Sequence, residues 1–156
     1  MSYPETYKPA FRSRGVNKTF VLLLDFPDYP STNSAASVDG KIFGDGDGGY
    51  PFESLRNYYR RSSYGALEIQ GATLGWYRPA YNRDSIPEEW GAQENLIKEA
   101  LIYFDAQGHD FSVYDNDNDG AIDYFLVIWS GPVGEWASFW WGYFAGWYSS
   151  FSLDGK

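Results

Sequence analysis

The stretch Lys18-Thr-Phe-Val-Leu-Leu-Leu-Asp25 decides the fold. Its apolar run has the length of a strand, and it lacks the alternation of polar and apolar residues that marks a strand with one solvent face. This pattern predicts a central strand that is buried on both faces. The next residues, Asp25-Phe-Pro-Asp28, end the element.

Two helices and two further strands are predicted downstream of this strand. Residues 51–61 place apolar side chains on one helical face, and residues 94–104 form a clear helical stripe. Residues 66–71 alternate as a strand does and residues 73–77 extend it as a hairpin or a bent strand, whereas residues 122–130 form a second buried strand. The order strand, helix, strand, helix, strand is typical of the α/β class, and we expect a mixed twisted sheet with packed helices.

The remaining segments show no regular pattern. Residues 1–17, with two early prolines, are predicted to be an extended lead-in, and residues 18–156 to form one domain. Residues 29–50 are rich in Ser, Asn, Gly and Asp and are predicted to be a long loop. Residues 134–146 are too aromatic for a solvated loop and too rich in glycine for a helix, so we expect an edge strand or a rim loop.

Composition excludes several classes of function. A net charge of -9 disfavours nucleic-acid binding, which needs clustered Lys and Arg. The longest apolar run is far shorter than the ~20 residues that cross a bilayer, so no membrane association is expected. The absence of cysteine excludes disulfides and thiolate metal sites. Aromatic residues make up 21%, and an aromatic-rich core and an aromatic binding groove both stay open as explanations.

The strongest chemical signal is the loop Asp115-Asn-Asp-Asn-Asp-Gly-Ala-Ile-Asp123. Calcium prefers six to eight oxygen ligands, and carboxylates at alternate positions around a glycine turn converge on one point. We therefore predict a structural calcium site. The predicted ligands are Asp115, Asp117, Asp119, the backbone carbonyl of Ala121 and Asp123.

The loop is not an EF-hand. Its twelfth position is Leu126 rather than a bidentate glutamate, and a strand rather than a helix follows. Without a cation the four aspartates would repel one another, which favours a metal site over a solvated acidic turn.

Other polar residues are explained without a ligand. His109 is the only histidine, so a zinc site with two or three histidines is impossible within this chain, and its Gly-His-Asp context is typical of a turn that ends a helix. Asp45 and Asp47 lie in a glycine-rich turn, where aspartate is common. The arginines of residues 56–61 are predicted to form a solvated basic face.

The ordered motifs resemble the immune inhibitor A family of bacterial secreted zinc metallopeptidases. The matching pieces are Val21-Leu-Leu-Leu-Asp-Phe-Pro-Asp28, residues 54–65, Gly75-Trp-Tyr-Arg-Pro79, and residues 111–124 running into Val127-Ile-Trp-Ser-Gly-Pro132. The resemblance implies the N-terminal half of a zincin-like catalytic domain, with secretion and a peptide or protein substrate for the complete enzyme. It also implies a zinc-binding His-Glu-x-x-His helix, which these 156 residues do not contain.

Two main hypotheses follow. In the first, the chain is part of a metallopeptidase catalytic domain that has no catalytic residue of its own and needs the missing helix for activity. In the second, it is a short calcium-stabilised module that binds peptide or carbohydrate through aromatic residues. A glycosidase with paired carboxylates is a third, weaker hypothesis, because no two acids stand out. Exposed apolar surface in a partial domain also predicts self-association.

Overall fold

Three strands form one parallel sheet in the computed structural model, which describes residues 13–46, 52–89, 91–136, 138–146 and 150–156. They are β1 (Gly15–Leu24), β2 (Leu67–Tyr77) and β3 (Phe125–Trp129), in the order β2-β1-β3. The predicted α/β class is confirmed. All three strands run parallel, and the antiparallel strand that a mixed sheet requires is not found in this described part.

Three helices pack on the sheet: α1 (Ala35–Ile42), α2 (Leu55–Ser62) and α3 (Ala92–Ala106). Two 3-10 turns, Arg83–Ser85 and Phe111–Tyr114, lie in the connections. Both predicted helices are present, although α2 begins four residues later than expected. Pro51, the first residue of the predicted helix, lies outside the described residues.

The central strand β1 is buried on both faces, as predicted. Its residues 20–24 have no exposed surface, because β2 and β3 pair with its two edges and helices cover its two faces. Phe20, Leu22 and Leu24 pack against a cluster that includes four residues of α3. Val21 and Leu23 face the opposite cluster, against which α1 also packs. The absence of polar alternation in the sequence reflects this double coverage.

Three predictions for individual segments were wrong. The long loop predicted for residues 29–50 contains α1, whose N-cap Ser34 accepts a hydrogen bond from Ser37 N at 3.1 Å. Strand β3 is half-buried rather than buried, because it is the edge strand of the described sheet. The predicted lead-in ends earlier than residue 17, since β1 begins at Gly15, and its residues 1–12 lie outside the described part.

The aromatic stretch after β3 forms an irregular loop. Its described residues, 134–136 and 138–146, contain no strand, which favours the rim loop over the edge strand. Within the described ranges, no helix combines the length and the apolar content needed to cross a membrane.

Candidate metal centre

The aspartate loop starts from a buried anchor in the connection between α3 and β3. Phe111 and Tyr114, in the 3-10 turn before the loop, are buried and pack against Phe20 of β1. Asp110 caps this turn by accepting a hydrogen bond from Ser112 N at 2.9 Å. The first predicted ligand therefore follows a rigid, apolar base.

Three of the predicted ligands come together. One carboxylate oxygen from each of Asp115, Asp117 and Asp123 lies within 4.8 Å of the others. Asp119 does not join this group, and its Oδ1 instead accepts a hydrogen bond from Ala121 N at 3.0 Å. The roles of Asp119 and of the Ala121 carbonyl as ligands stay predictions.

Backbone amides hold the carboxylates in place. Asp115 Oδ1 accepts Asp119 N at 3.1 Å, and Asp115 Oδ2 accepts Gly120 N at 3.1 Å. Asp123 Oδ2 accepts Asn116 N at 2.7 Å from the other end of the loop. Gly120 has φ +95°, a conformation that glycine adopts without strain, and it turns the chain back between these contacts.

Asn116 ties the loop to the first strand. Its Oδ1 accepts a hydrogen bond from Lys18 N at 2.7 Å, and its Nδ2 donates to Lys18 O at 2.9 Å. The same Nδ2 donates to Tyr114 O at 3.2 Å. Sequence analysis missed this residue because nothing in the local pattern indicates a contact 98 residues away.

The carboxylates differ in their electrostatic surroundings. Hydrogen bonding from Lys156 Nζ, helped by the amides of Gly120 and Asp119, keeps the pKa of Asp115 below its usual value. Burial raises the pKa of Asp123, and repulsion from Asp117 and Asp119 raises it further. A nearby cation would relieve that repulsion.

This donor set fits a hard divalent cation. Two oxygens bound to one calcium ion at 2.3–2.6 Å can be at most about 5 Å apart, and the three aspartate oxygens meet that limit. All three are carboxylates, the ligand type that calcium and magnesium prefer. The loop can therefore hold a metal ion through Asp115, Asp117 and Asp123.

The other candidate residues have structural partners. His109 Nε2 lies 3.0 Å from the Tyr114 hydroxyl, and burial lowers the pKa of this histidine. Asp45 pairs with Arg56 at 3.3 Å, whereas Asp47 lies outside the described residues. The predicted solvated basic face is wrong in one respect, because its arginines are paired with carboxylates. These ion pairs join Arg56 and Arg60 to Glu68, and Arg61 to Glu53.

A second polar arrangement holds the segment after β3, residues 131–136 and 138–146, which we call the rim segment. Arg83 is only 2% exposed, and its Nη2 donates to Pro132 O at 2.6 Å. Its guanidinium lies over the rings of Tyr29 and Trp140, with centroids 5.2 Å and 4.3 Å away. An arginine in the polar linker between β2 and α3 gave no sign of this role in the sequence.

Gln93, near the start of α3, holds the rim segment at two further points. Its Nε2 donates to Phe139 O at 2.6 Å, and its Oε1 accepts from the Tyr143 hydroxyl at 3.0 Å. These contacts leave several aromatic side chains facing solvent. Trp136 is 81% exposed and Phe144 is 86% exposed.

No protein-family model matches the chain, and no curated protein sequence matches it. The resemblance to the immune inhibitor A family therefore stays a prediction.

Proposed function

We propose that this chain is the N-terminal part of a secreted zinc metalloendopeptidase catalytic domain, stabilised by a calcium ion in the aspartate loop. The observation that carries the proposal is the convergence of the Asp115, Asp117 and Asp123 carboxylates within 4.8 Å. Proteolysis belongs to the complete protein, whose His-Glu-x-x-His helix supplies the zinc ligands and the general base. These 156 residues contain one histidine and are inactive alone.

Calcium suits this loop better than a transition metal does. Its described ligand candidates are all oxygens, and the chain has no cysteine and no second histidine to attract a softer ion. Water and the carbonyl of Ala121 complete the six to eight ligands that calcium takes. The ion fixes the connection between α3 and β3 and so has a structural role.

Contacts between the motifs support the metallopeptidase part of the proposal. Two pieces of the resemblance, residues 21–28 and 75–79, are joined by Asp25 and Arg78. Arg78 Nε donates to Asp25 Oδ1 at 2.9 Å, beyond the carboxyl end of β1. Asp28, from the first piece, accepts Arg83 N at 2.9 Å and Asp84 N at 3.1 Å. The two motif pieces therefore meet in one corner of the fold.

Thermal unfolding in calcium and in chelator tests the metal site. An ion that binds only the folded state at a hundred times its Kd adds about 2.7 kcal/mol, and the expected rise in Tm is roughly 5–10 °C. Asp117→Asn should abolish most of this rise, because it removes one converging carboxylate. The matched control is Asp105→Asn, an acid outside the loop, which should keep the full rise. An equal Tm in calcium and chelator for the wild-type chain would refute the calcium site.

A separate experiment tests the peptidase assignment. The coding region beyond Lys156 is sequenced, and the full-length product and the 156-residue chain are assayed on a protein substrate with zinc. We expect a His-Glu-x-x-His segment, activity in the longer product and none in the short chain. A natural product that lacks this segment and cleaves nothing would exclude the peptidase and favour a binding module.

That alternative has one supporting observation of its own. Arg83 and Gln93 hold the rim segment in place while Trp136, Tyr143 and Phe144 stay exposed. A fixed aromatic surface is suited to stacking on peptide or carbohydrate. Titrating oligosaccharides and unstructured peptides while following tryptophan fluorescence distinguishes this function, since the peptidase proposal requires no carbohydrate affinity.

A further inference from the structure

A cation from outside the aspartate loop already lies against the proposed metal site. Lys156 Nζ donates to Asp115 Oδ2 at 2.6 Å, although the Asp115 side chain is only 1% exposed. Gly120 N donates to the same oxygen. Because a carboxylate oxygen has two lone pairs, these two donors fill Oδ2, whereas from the described residues Oδ1 accepts only Asp119 N.

The lysine is held in position by an anchored turn. The backbones of Leu153 and Lys156 exchange two hydrogen bonds of 2.9 Å, and both Asp154 and Gly155 have positive φ, as in a type I′ turn. Asp154 Oδ2 also accepts Phe111 N at 2.7 Å, in the 3-10 turn that precedes the aspartate loop. Phe151 and Leu153 pack against the main core cluster. The tertiary structure therefore sets the position of the Lys156 ammonium.

We propose that Lys156 is a tethered cation that occupies the Asp115 side of the metal site and leaves it when a divalent ion binds. The inference rests on the proposed function, because it concerns the same calcium site. Bidentate coordination by Asp115 requires the lone pair that Lys156 uses. If the metal ion bound Oδ1 alone, the ion and the Lys156 ammonium would lie close together on one carboxylate and repel each other.

The exchange of one cation for another gives the site a preference for ion charge. A sodium or potassium ion carries the same charge as the ammonium and gains little Coulomb energy by displacing it. A calcium ion carries twice that charge and gains more from the three carboxylates. Displacing Lys156 costs the same free energy for every ion and so lowers the affinity for all of them, and a divalent ion offsets this cost better than a monovalent ion does because it gains more from the three carboxylates.

Calorimetric titration of the full chain with calcium chloride tests the proposal, using three variants. Lys156→Met keeps an apolar stem without the charge, Lys156→Arg keeps the charge, and Lys41→Met removes a charge from an exposed position of α1. We expect Lys156→Met to bind calcium about tenfold more tightly than wild type, which corresponds to about 1.4 kcal/mol. Lys156→Arg and Lys41→Met should stay within about twofold of wild type.

Thermal unfolding separates this role from a purely structural one. In chelator, Lys156→Met should melt below wild type, because the buried Asp115 loses its partner, and calcium should then raise its Tm by more than it raises that of wild type. If Lys156 made only a structural contact, Lys156→Met would lower the Tm by the same amount in chelator and in calcium.

Two results would overturn the inference in different ways. An unchanged calcium affinity in Lys156→Met, with binding intact in wild type, would remove the tethered-cation role and leave the calcium site. An absence of calcium binding in both proteins would remove the proposed site together with the inference. Tighter calcium binding by Lys156→Met than by wild type, lost again in Lys156→Met/Asp117→Asn, would support both the calcium site and the tethered-cation role.

Discussion

The guanidinium of Arg83 lies 4.3 Å from the ring centroid of Trp140, and this contact fixes the rim segment to the carboxyl end of the sheet. Trp140 in turn packs edge-on against Phe26 and Trp129, at 5.7 Å and 5.4 Å between ring centroids. Arg83 Nε has no hydrogen-bond partner among the residues that the structure describes, and burial lowers the pKa of this arginine. The cation is therefore held by ring faces and by one carbonyl.

Replacing this arginine should destabilise the fold. Arg83→Lys removes the planar stack and the geometry of the Pro132 contact while it keeps a buried charge, and we expect a loss of about 3 kcal/mol in the free energy of unfolding. Urea denaturation at 25 °C measures this loss. Arg14→Lys, at an exposed position, should change the free energy by less than about 0.5 kcal/mol. A similar small change in Arg83→Lys would show that the stack contributes no stability.

Sequence reasoning located the elements whose signal is local. The central strand was predicted because burial on two faces leaves an uninterrupted apolar run, and α3 because Leu96, Ile97, Ala100 and Leu101 lie on one helical face. The aspartate loop was found for the same reason, since its ligand spacing lies within nine residues. The convergence of Asp115, Asp117 and Asp123 agrees with that prediction.

The missed features depend on distant contacts. Helix α1 has eight residues, with a glycine and polar neighbours that hide its apolar positions, and packing against β2 supplies much of its stability. Lys156 and Arg83 act through partners that are distant in the sequence, such as Asp115 and Pro132, which lie 41 and 49 residues away. The parallel direction of the strands was likewise set by helical crossovers that cover both faces, which a pattern of single elements does not specify.

The ion pair between Asp25 and Arg78 predicts a pH dependence of stability. Burial alone would raise the pKa of Asp25, but hydrogen bonds from Arg78 and from Ser31 N outweigh it and leave the pKa below its usual value. In the unfolded chain the Asp25 carboxylate binds a proton near pH 3.9, whereas in the folded chain it does so at lower pH. The pair therefore stabilises the fold fully above the unfolded pKa, and this contribution is lost as pH falls through the folded pKa.

Arg78→Met should show this dependence directly. We expect a loss of about 2 kcal/mol at pH 7, less than for a fully buried pair because half of the Arg78 side chain is exposed. The difference in the free energy of unfolding between wild type and variant should become smaller below about pH 4, where Asp25 becomes protonated. Arg14→Gln serves as the control and should follow the wild-type curve. A difference in unfolding free energy that stays constant from pH 7 to pH 3 would contradict the lowered pKa of Asp25.

Two glycines should respond to the same substitution with opposite signs. A Cβ on Gly71 would lie 1.7 Å from Thr19 O in the paired strand, so Gly71→Ala forces β1 and β2 apart and should cost at least about 3 kcal/mol. A Cβ on Gly40, at an exposed position of α1, meets no atom within 4 Å. Gly40→Ala should therefore stabilise the chain by about 0.5–1 kcal/mol through lower backbone entropy in the unfolded state. Equal effects in chemical denaturation would refute this account of the close strand contact.

The exposed aromatic side chains of the rim segment should cause self-association. Trp136 and Phe144 leave large apolar surfaces in water, and their burial between two chains is favourable at about 25 cal/mol per Å². Sedimentation velocity over a hundredfold range of concentration should show oligomers of wild type. The double variant Trp136→Ser/Phe144→Ser should raise the dissociation constant at least about tenfold. Phe52→Ser, which removes an equally exposed ring outside the rim segment, should leave association unchanged. If wild type stays monomeric at every concentration, the exposed rim aromatics do not cause association. If Phe52→Ser also abolishes association, the contact surface is not confined to the rim segment.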